Sequence, residues 1–247
     1  MKVFLVTIAL VLCVLGCACA AAKPITSTTA DLDGNGRKEK VWVTLAKAST
    51  NLTDHSTLHV DKAEVPFYGE YDGLEIVDID RSDRYKEIDV RTYSGSDAVD
   101  HNIYWYDGKS IQKMADLSWK ADYKGNGIVL NQVWTCYVTI IEKYVLDKKS
   151  RKLVLVPQEM YYVGTKRKVL RSFPVYYSRQ GNSIVANVET NSTITVLVYV
   201  PNQAARKSPG KYDVMQEWFL IKTQSGLLGW VRLQTLSQYV QGMQGAG

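Results

Sequence analysis

Two acidic segments carry the clearest chemical signal in this chain. Asp31-Leu32-Asp33-Gly34-Asn35-Gly36-Arg37-Lys38-Glu39 puts oxygen-bearing side chains at its first, third and fifth positions, glycine at the sixth and Glu39 at the ninth. A hard cation such as Ca²⁺ takes six to eight oxygens at about 2.3–2.6 Å. Alternate residues of a tight loop can aim at one centre, and glycine permits the sharp turn. Further along, Asp78, Asp80 and Ser82 repeat the spacing, with Asp83 in place of the glycine and Glu87 one residue later than Glu39. The expected calcium ligands are therefore Asp31, Asp33, Asn35 and Glu39 in the first loop, and Asp78, Asp80, Ser82 and Glu87 in the second. The competing reading of both is an Asp/Asn/Gly turn held by its own side-chain to backbone hydrogen bonds. A worn third copy, Asp122-Tyr123-Lys124-Gly125-Asn126-Gly127, has a lysine where a ligand is needed and is read as metal-free.

Other chemistries have little to work with. The 247 residues are 46% hydrophobic and 22% charged, with a formal charge of +5, a globular rather than disordered balance. There are three histidines, and Cys136 is the one cysteine beyond the first twenty residues, which leaves His/Cys metal sites and His-dependent catalysis poorly supplied. Cys136 lies in a β-like run and reads as a buried, inert thiol. His55 and His59 read as exposed and unliganded. Lys166-Arg167-Lys168 is too short for a nucleic-acid footprint, whereas a mildly basic surface suits anionic wall polymers. The chain thus reads as a non-enzymatic binding protein. A cell-wall hydrolase or hydrolase accessory, and a structural scaffold that presents a protein partner, are the alternatives.

Residues 1–22 read as an export signal. Lys2 is a short positive region, Val3 to Leu15 an apolar run, and Ala18-Cys19-Ala20 a small-residue cleavage site. Val14-Leu15-Gly16-Cys17 resembles a bacterial lipobox, which would lipidate Cys17, and an uncleaved anchor is the third option. Each places the remainder outside the cytoplasm, secreted or at the cell surface. Contact with the membrane would come only through that lipid or anchor.

The elements that must position these loops are strands. Short runs of Val, Ile, Thr, Tyr and Trp, such as 41–45, 103–106, 194–200 and 218–222, recur between Gly, Asp, Asn and Ser turns. The predicted fold is all-β. The acidic copies start 47 and then 44 residues apart, a blade-sized period. Asp31 to Glu39, with Thr29-Ala30 before it, resembles the FG-GAP/VCBS repeat of extracellular proteins, and Ile76 to Ile88 is similar to a variant in secreted proteins of Gram-positive bacteria. The resemblance implies a propeller-blade-like β-repeat domain over 23–160 with calcium in its acidic loops. Three units are too few for a closed ring, so a partial propeller or a related sheet arrangement is expected.

A second domain is expected over 161–236. Trp218-Phe219-Leu220-Ile221-Lys222-Thr223-Gln224-Ser225-Gly226-Leu227-Leu228-Gly229-Trp230-Val231 gives strand, turn, strand. It looks like the end of a bacterial Src-homology-3-like domain. That resemblance implies a small β-barrel with an aromatic groove for short peptides or wall material, lined by Tyr176, Tyr177, Trp218 and Trp230. The alternative is that the two tryptophans are core. The partners expected are a cell-wall peptide or glycan, or an extracellular protein. Residues 237–247 read as a disordered tail.

Overall fold

The computed structural model describes residues 26–45, 55–93, 98–202 and 213–243. The expected export signal, with Cys17, and residues 244–247 lie outside the described residues.

Four antiparallel sheets follow one another along the chain. The first contains β1 (Ser27–Ala30), β2 (Glu39–Thr44), β3 (Ser56–Val60) and β4 (Ala63–Phe67). The second contains β5 (Glu70–Val77), β6 (Glu87–Tyr93), β7 (Val99–Tyr106) and β8 (Ile111–Ser118). The third contains β9 (Lys120–Tyr123), β10 (Ile128–Trp134), β11 (Thr139–Asp147) and β12 (Lys152–Val156). In each, strands that neighbour in sequence neighbour in space. The acidic segments 31–38, 78–86 and 124–127 join the first and second strands of their sheets.

Period-two patterning decides which faces meet. In β2, Glu39, Val41 and Val43 are buried while Lys40 and Thr44 are exposed. Val41, Leu58 and Phe67 of the first sheet share a core with Leu74, Ile88, Val90 and Tyr104 of the second. Val77, Ile79, Ile103, Met114 and Leu117 of the second share another with Val129, Leu146 and Leu153 of the third. The second sheet is therefore covered on both faces. Each fully buried Leu or Ile in these layers contributes about 1.5–3 kcal/mol relative to exposure.

The fourth sheet starts after Val156 and has a different topology. It contains β13 (Tyr161–Lys168), β14 (Phe173–Tyr176), β15 (Ile184–Val188), β16 (Thr193–Val200), β17 (Trp218–Lys222) and β18 (Leu228–Arg232), in the order β13-β16-β17-β18-β14-β15. Bulges in β13, β15 and β16 bend it. The expected small barrel is not closed: among the described residues, β13 and β15 are the sheet's two edges. Other elements take the place of closure. The apolar core of Phe173, Val175, Ile194, Val196, Phe219, Ile221 and Val231 is completed by Leu233 and Leu236 of α1 (Leu233–Tyr239) and by Val138 and Ile140 of the third sheet.

Two further expectations are corrected. Residues 237–243 are packed rather than disordered: α1 runs through Tyr239, Val240 pairs with Val169, and Val240 and Met243 are fully buried. Apolar residues spaced among the polar ones supply the contacts that the composition hides. Cys136 is exposed rather than buried, because it sits at φ +70° in the β10–β11 turn instead of inside a strand. That turn is closed by the Thr135 N–H and hydroxyl donating to the Val138 carbonyl.

Candidate functional site

The 31–39 loop gathers its carboxylates. Asp31, Asp33 and Glu39 bring ligand oxygens within 4.8 Å of one another, the one such acidic group among the described residues. Asp33 and Glu39 are buried, at 9% and 2% exposure. Backbone donors hold the loop's shape. Leu32 N–H donates to Glu39 Oε2 at 2.8 Å, Asn35 N–H to Asp33 Oδ1 at 3.0 Å, and Gly36 N–H to Asp31 Oδ2 at 3.0 Å. Asn35 turns its amide nitrogen onto Asp33 Oδ2 at 2.9 Å, and its Oδ1 accepts from Arg37 N–H. Among the described residues, no Lys, Arg or His forms an ion pair with these three acids. The β7–β8 turn comes up against the loop through a glycine: a Cβ on Gly108 would lie 2.7 Å from Asp33 Oδ2.

The 78–87 loop has the same backbone frame and a different electrostatic solution. Ile79 N–H donates to Glu87 Oε2 at 3.0 Å and Ser82 N–H to Asp80 Oδ1 at 3.1 Å, matching the Leu32–Glu39 and Asn35–Asp33 bonds. Here the turn of the next sheet supplies cations. Lys148 Nζ lies 2.6 Å from Asp80 Oδ2 and donates to Ser82 Oγ at 3.3 Å. Arg151 reaches Asp83 at 2.8 Å and Glu87 at 3.3 Å, and its guanidinium lies over the rings of Tyr85 and Trp105. The Lys148 ammonium and the Ser82 hydroxyl hold the Asp80 carboxyl down at about 2. Burial pushes Glu87 up to about 7, against the opposing pull of the Ile79 N–H and Arg151. Of the expected ligands in this loop, Asp80, Ser82 and Glu87 are thus engaged by basic side chains, while Asp78 Oδ1 is buried without a partner.

The third copy gives no carboxylate cluster. Lys124 pairs with Asp122, and the loop docks on its predecessor through backbone bonds from Arg81 N–H to Gly125 O and from Gly127 N–H to Ile79 O.

A second arrangement lies on the outer face of the fourth sheet. Cross-strand partners there form one row over all six strands: Ile184, Tyr176, Trp230, Leu220, Val198 and Tyr162. Directly opposed residues of an antiparallel pair share a face, so the row is continuous and apolar. It spans about 24 Å at about 4.8 Å per strand. Tyr162 and Ile184 are 76% and 56% exposed; Tyr176, Trp230, Leu220 and Val198 are half-buried. Trp218 lies on the same face beside the row, opposite Arg232. Tyr177 is exposed just past the end of β14 and outside the row. Basic groups flank the aromatics. Arg179 lies over Trp230 and Arg232 over Trp218, and on the other side Lys166, Thr195 and Lys222 form a neighbouring row. A hollow of about 410 Å³ opens beside Trp218, lined in part by Arg179, Arg232 and Glu159.

A third cluster is largely buried, with Tyr123 half-buried at its outer end. His101 Nδ1 lies 2.7 Å from Asp89 Oδ2, and Tyr123 donates its hydroxyl to the same oxygen at 2.8 Å. Burial opposes the imidazolium, but the Asp89 hydrogen bond and charge, with the Trp119 backbone carbonyl, move the His101 pKa upward overall. His59, expected exposed and unliganded, stacks on Trp42 and hydrogen-bonds Thr44 Oγ1.

Comparisons with protein-family models, with curated proteins and with solved structures find no match for this chain. The functional reading therefore rests on geometry. Sequence reasoning brought forward Tyr176, Trp218 and Trp230 and missed Tyr162, Leu220, Val198 and Ile184, which only strand order aligns. It did not single out the Asp147 to Lys152 turn, which supplies Lys148 and Arg151. Its Asp-x-Lys-Ser pattern, shared with Asp107 to Ser110, was the available signal.

Proposed function

We propose that this chain is an exported, non-catalytic binding protein. Its fourth sheet, read as Src-homology-3-like, takes an anionic cell-wall polymer or peptide, and its 31–39 loop takes calcium. The row of apolar and aromatic side chains across all six strands, flanked by Arg179, Arg232, Lys166 and Lys222, carries the binding reading. Aromatic faces offer large rigid contact area at low entropic cost. The flanking cations draw a polyanion by salt-sensitive attraction. The three preceding four-stranded sheets read as FG-GAP/VCBS-like repeats, a stack that holds this face away from its anchor. The burial of the Asp89–His101 pair, at 1% and 9% exposure, favours this reading over the hydrolase alternative, which needs an acid/base pair in a cleft.

Calcium fits the 31–39 loop by donor chemistry. Asp31, Asp33 and Glu39 would hold it, while Asn35, whose amide nitrogen faces Asp33 and whose oxygen accepts from Arg37 N–H, is not placed as a ligand; the ion would supply the positive charge that no ion pair gives these acids. Stability would then depend on metal. Asp33→Ala should lower Tm clearly more in calcium than in chelator, where only its bonds to Asn35 are lost. An equal loss in both would remove the metal role of this loop.

Sedimentation with purified Gram-positive peptidoglycan tests the binding face. The polymer is used with its anionic polymers retained and after they are stripped. Wild type should co-sediment with the intact wall and lose retention as salt rises, and Trp230→Ala with Tyr162→Ala should stay in the supernatant. Equal retention of wild type and the double variant would overturn the assignment of this face. Retention indifferent to stripping would move the ligand to the peptide or glycan.

A further inference from the structure

We propose that the second acidic loop is a metal-free site whose cations come from the chain itself. Lys148 and Arg151 engage three of the four residues expected to hold a divalent ion, Asp80, Ser82 and Glu87, and they latch the third sheet onto the second whether or not metal is present. The assignment of metal to the 31–39 loop alone rests on the calcium reading given above; the latch does not.

The two loops and the turns that face them share several hydrogen bonds, although Asp31 accepts from Asn35 and Gly36 N–H and Asp78 Oδ1 has no partner, so their differences are informative. Lys109 N–H donates to Asp107 Oδ1 and Ser110 Oγ to Asp107 Oδ2. Lys149 N–H and Ser150 Oγ make the same bonds to Asp147. Within this matched frame two changes stand out. Gly108, against Asp33, becomes Lys148, against Asp80. One residue, Arg151, is added at φ +53° before β12 begins. The loop beneath lengthens by one residue too, since Glu87 follows Asp80 at seven positions where Glu39 follows Asp33 at six. The extra space admits the guanidinium, which joins Asp83 to Glu87 and is packed under Tyr85 and Trp105.

Charge accounts for the consequence. An ammonium at hydrogen-bond distance from Asp80 and Ser82 repels a divalent ion from the same oxygens, and Arg151 holds Asp83 and Glu87 in bonds that a metal would have to break, which leaves Asp78 as the one acid of the loop that neither cation engages. The loop without these two residues keeps three carboxylates that backbone N–H groups bind and that form no ion pair with a Lys, Arg or His among the described residues. Metal specificity is therefore set from outside the acidic motif, by the hairpin of the following sheet.

Hydrogen exchange of the full chain, with calcium and with chelator, separates the two parts of the proposal. In wild type, calcium should slow exchange across 31–39 and 107–110 by roughly tenfold or more and leave 78–87 and 147–152 unchanged. In K148G/R151G, 78–87 should become calcium-protected. Calcium protection of 78–87 in wild type would overturn the proposal, as would a folded K148G/R151G that ignores calcium there. Since that variant leaves buried acids unpaired and can fail to fold, a thermal cycle on the mostly exposed Lys148 decides the latch independently. K148A and D80N should each lower Tm, the double variant should lose no more than the larger single loss, and the losses should be equal with calcium and with chelator. Additive losses would overturn the latch. A wild type with no calcium effect at either loop would remove the metal reading of 31–39 and leave the latch to the thermal cycle.

Discussion

Replacing Arg151 by methionine tests the energetics of the junction between the second and third sheets. Methionine keeps an unbranched apolar stem but removes the charge and the five donors. Arg151 is 8% exposed, lies 2.8 Å from Asp83 and 3.3 Å from Glu87, and sits 4.5 Å from the centre of the Tyr85 ring. Removing one partner of a buried pair costs about 3–5 kcal/mol, because the charge left behind is uncompensated. One relief is open to this site. Glu87 is already raised to about 7, so it can take a proton at little cost near neutral pH. A loss of about 3 kcal/mol at pH 7 is therefore expected. In a chain of this length that is roughly 6–12 °C in Tm.

The pH dependence has a definite sign. A carboxyl whose folded pKa lies above its unfolded value favours folding when protonated, and that contribution fades as pH rises through the folded value. Without Arg151 the Glu87 pKa rises further, so the deficit of R151M should shrink from pH 8 to pH 5.5. E87Q in the R151M background should recover part of the loss at pH 8, since a neutral pair is cheaper to bury than one unpaired charge. Thermal melts followed by tryptophan fluorescence, with Trp105 beside the site, supply the readout. A loss below about 1 kcal/mol at every pH, the range of an exposed ion pair, would refute the claim that Arg151 is a buried latch.

Three further outcomes follow from the same geometry. His101 has a raised pKa, so its stabilisation should be complete below the ordinary histidine range and fade as pH climbs through the folded value; His101→Asn should flatten that part of the stability–pH curve, which urea melts from pH 5 to 9 would show. Gly34 sits at φ +69°, and a Cβ there would lie 2.5 Å from Arg84 Cβ and 2.6 Å from its carbonyl oxygen; Gly34→Ala should cost about 1–3 kcal/mol in chemical denaturation. Lys166→Glu with Lys222→Glu should weaken wall sedimentation and flatten its salt dependence while leaving Tm within about 1–2 °C, as expected of exposed positions.

Strand identity was legible from composition because β-branched and aromatic runs between Gly, Asp and Asn turns suit half-buried pleated surfaces and little else. The acidic loops were legible for a similar reason: alternate oxygens, a permissive glycine and a terminal glutamate are local features, and local hydrogen bonds such as Leu32 to Glu39 Oε2 reproduce them in the structure. Even there the two loops looked alike, and the residues that separate them, Gly108 on one side and Lys148 with Arg151 on the other, belong to turns far along the chain. The packing of Val240 and Met243 was hidden for the same kind of reason. Each depends on a neighbour that sequence distance does not reveal.

What the chain encodes locally, then, is its strands, its turns and the oxygen-rich frame of each acidic loop. The order of the strands was decided in three dimensions. Placing β16, β17 and β18 between β13 and β14 lines Tyr162, Val198, Leu220, Trp230, Tyr176 and Ile184 into one row, although they span positions 162 to 230. The choice between a metal loop and a self-neutralised one was decided there too. It turns on which side chain the next sheet delivers to within hydrogen-bond distance of Asp33 or Asp80, and Coulomb energy at that range depends on contact rather than on sequence spacing.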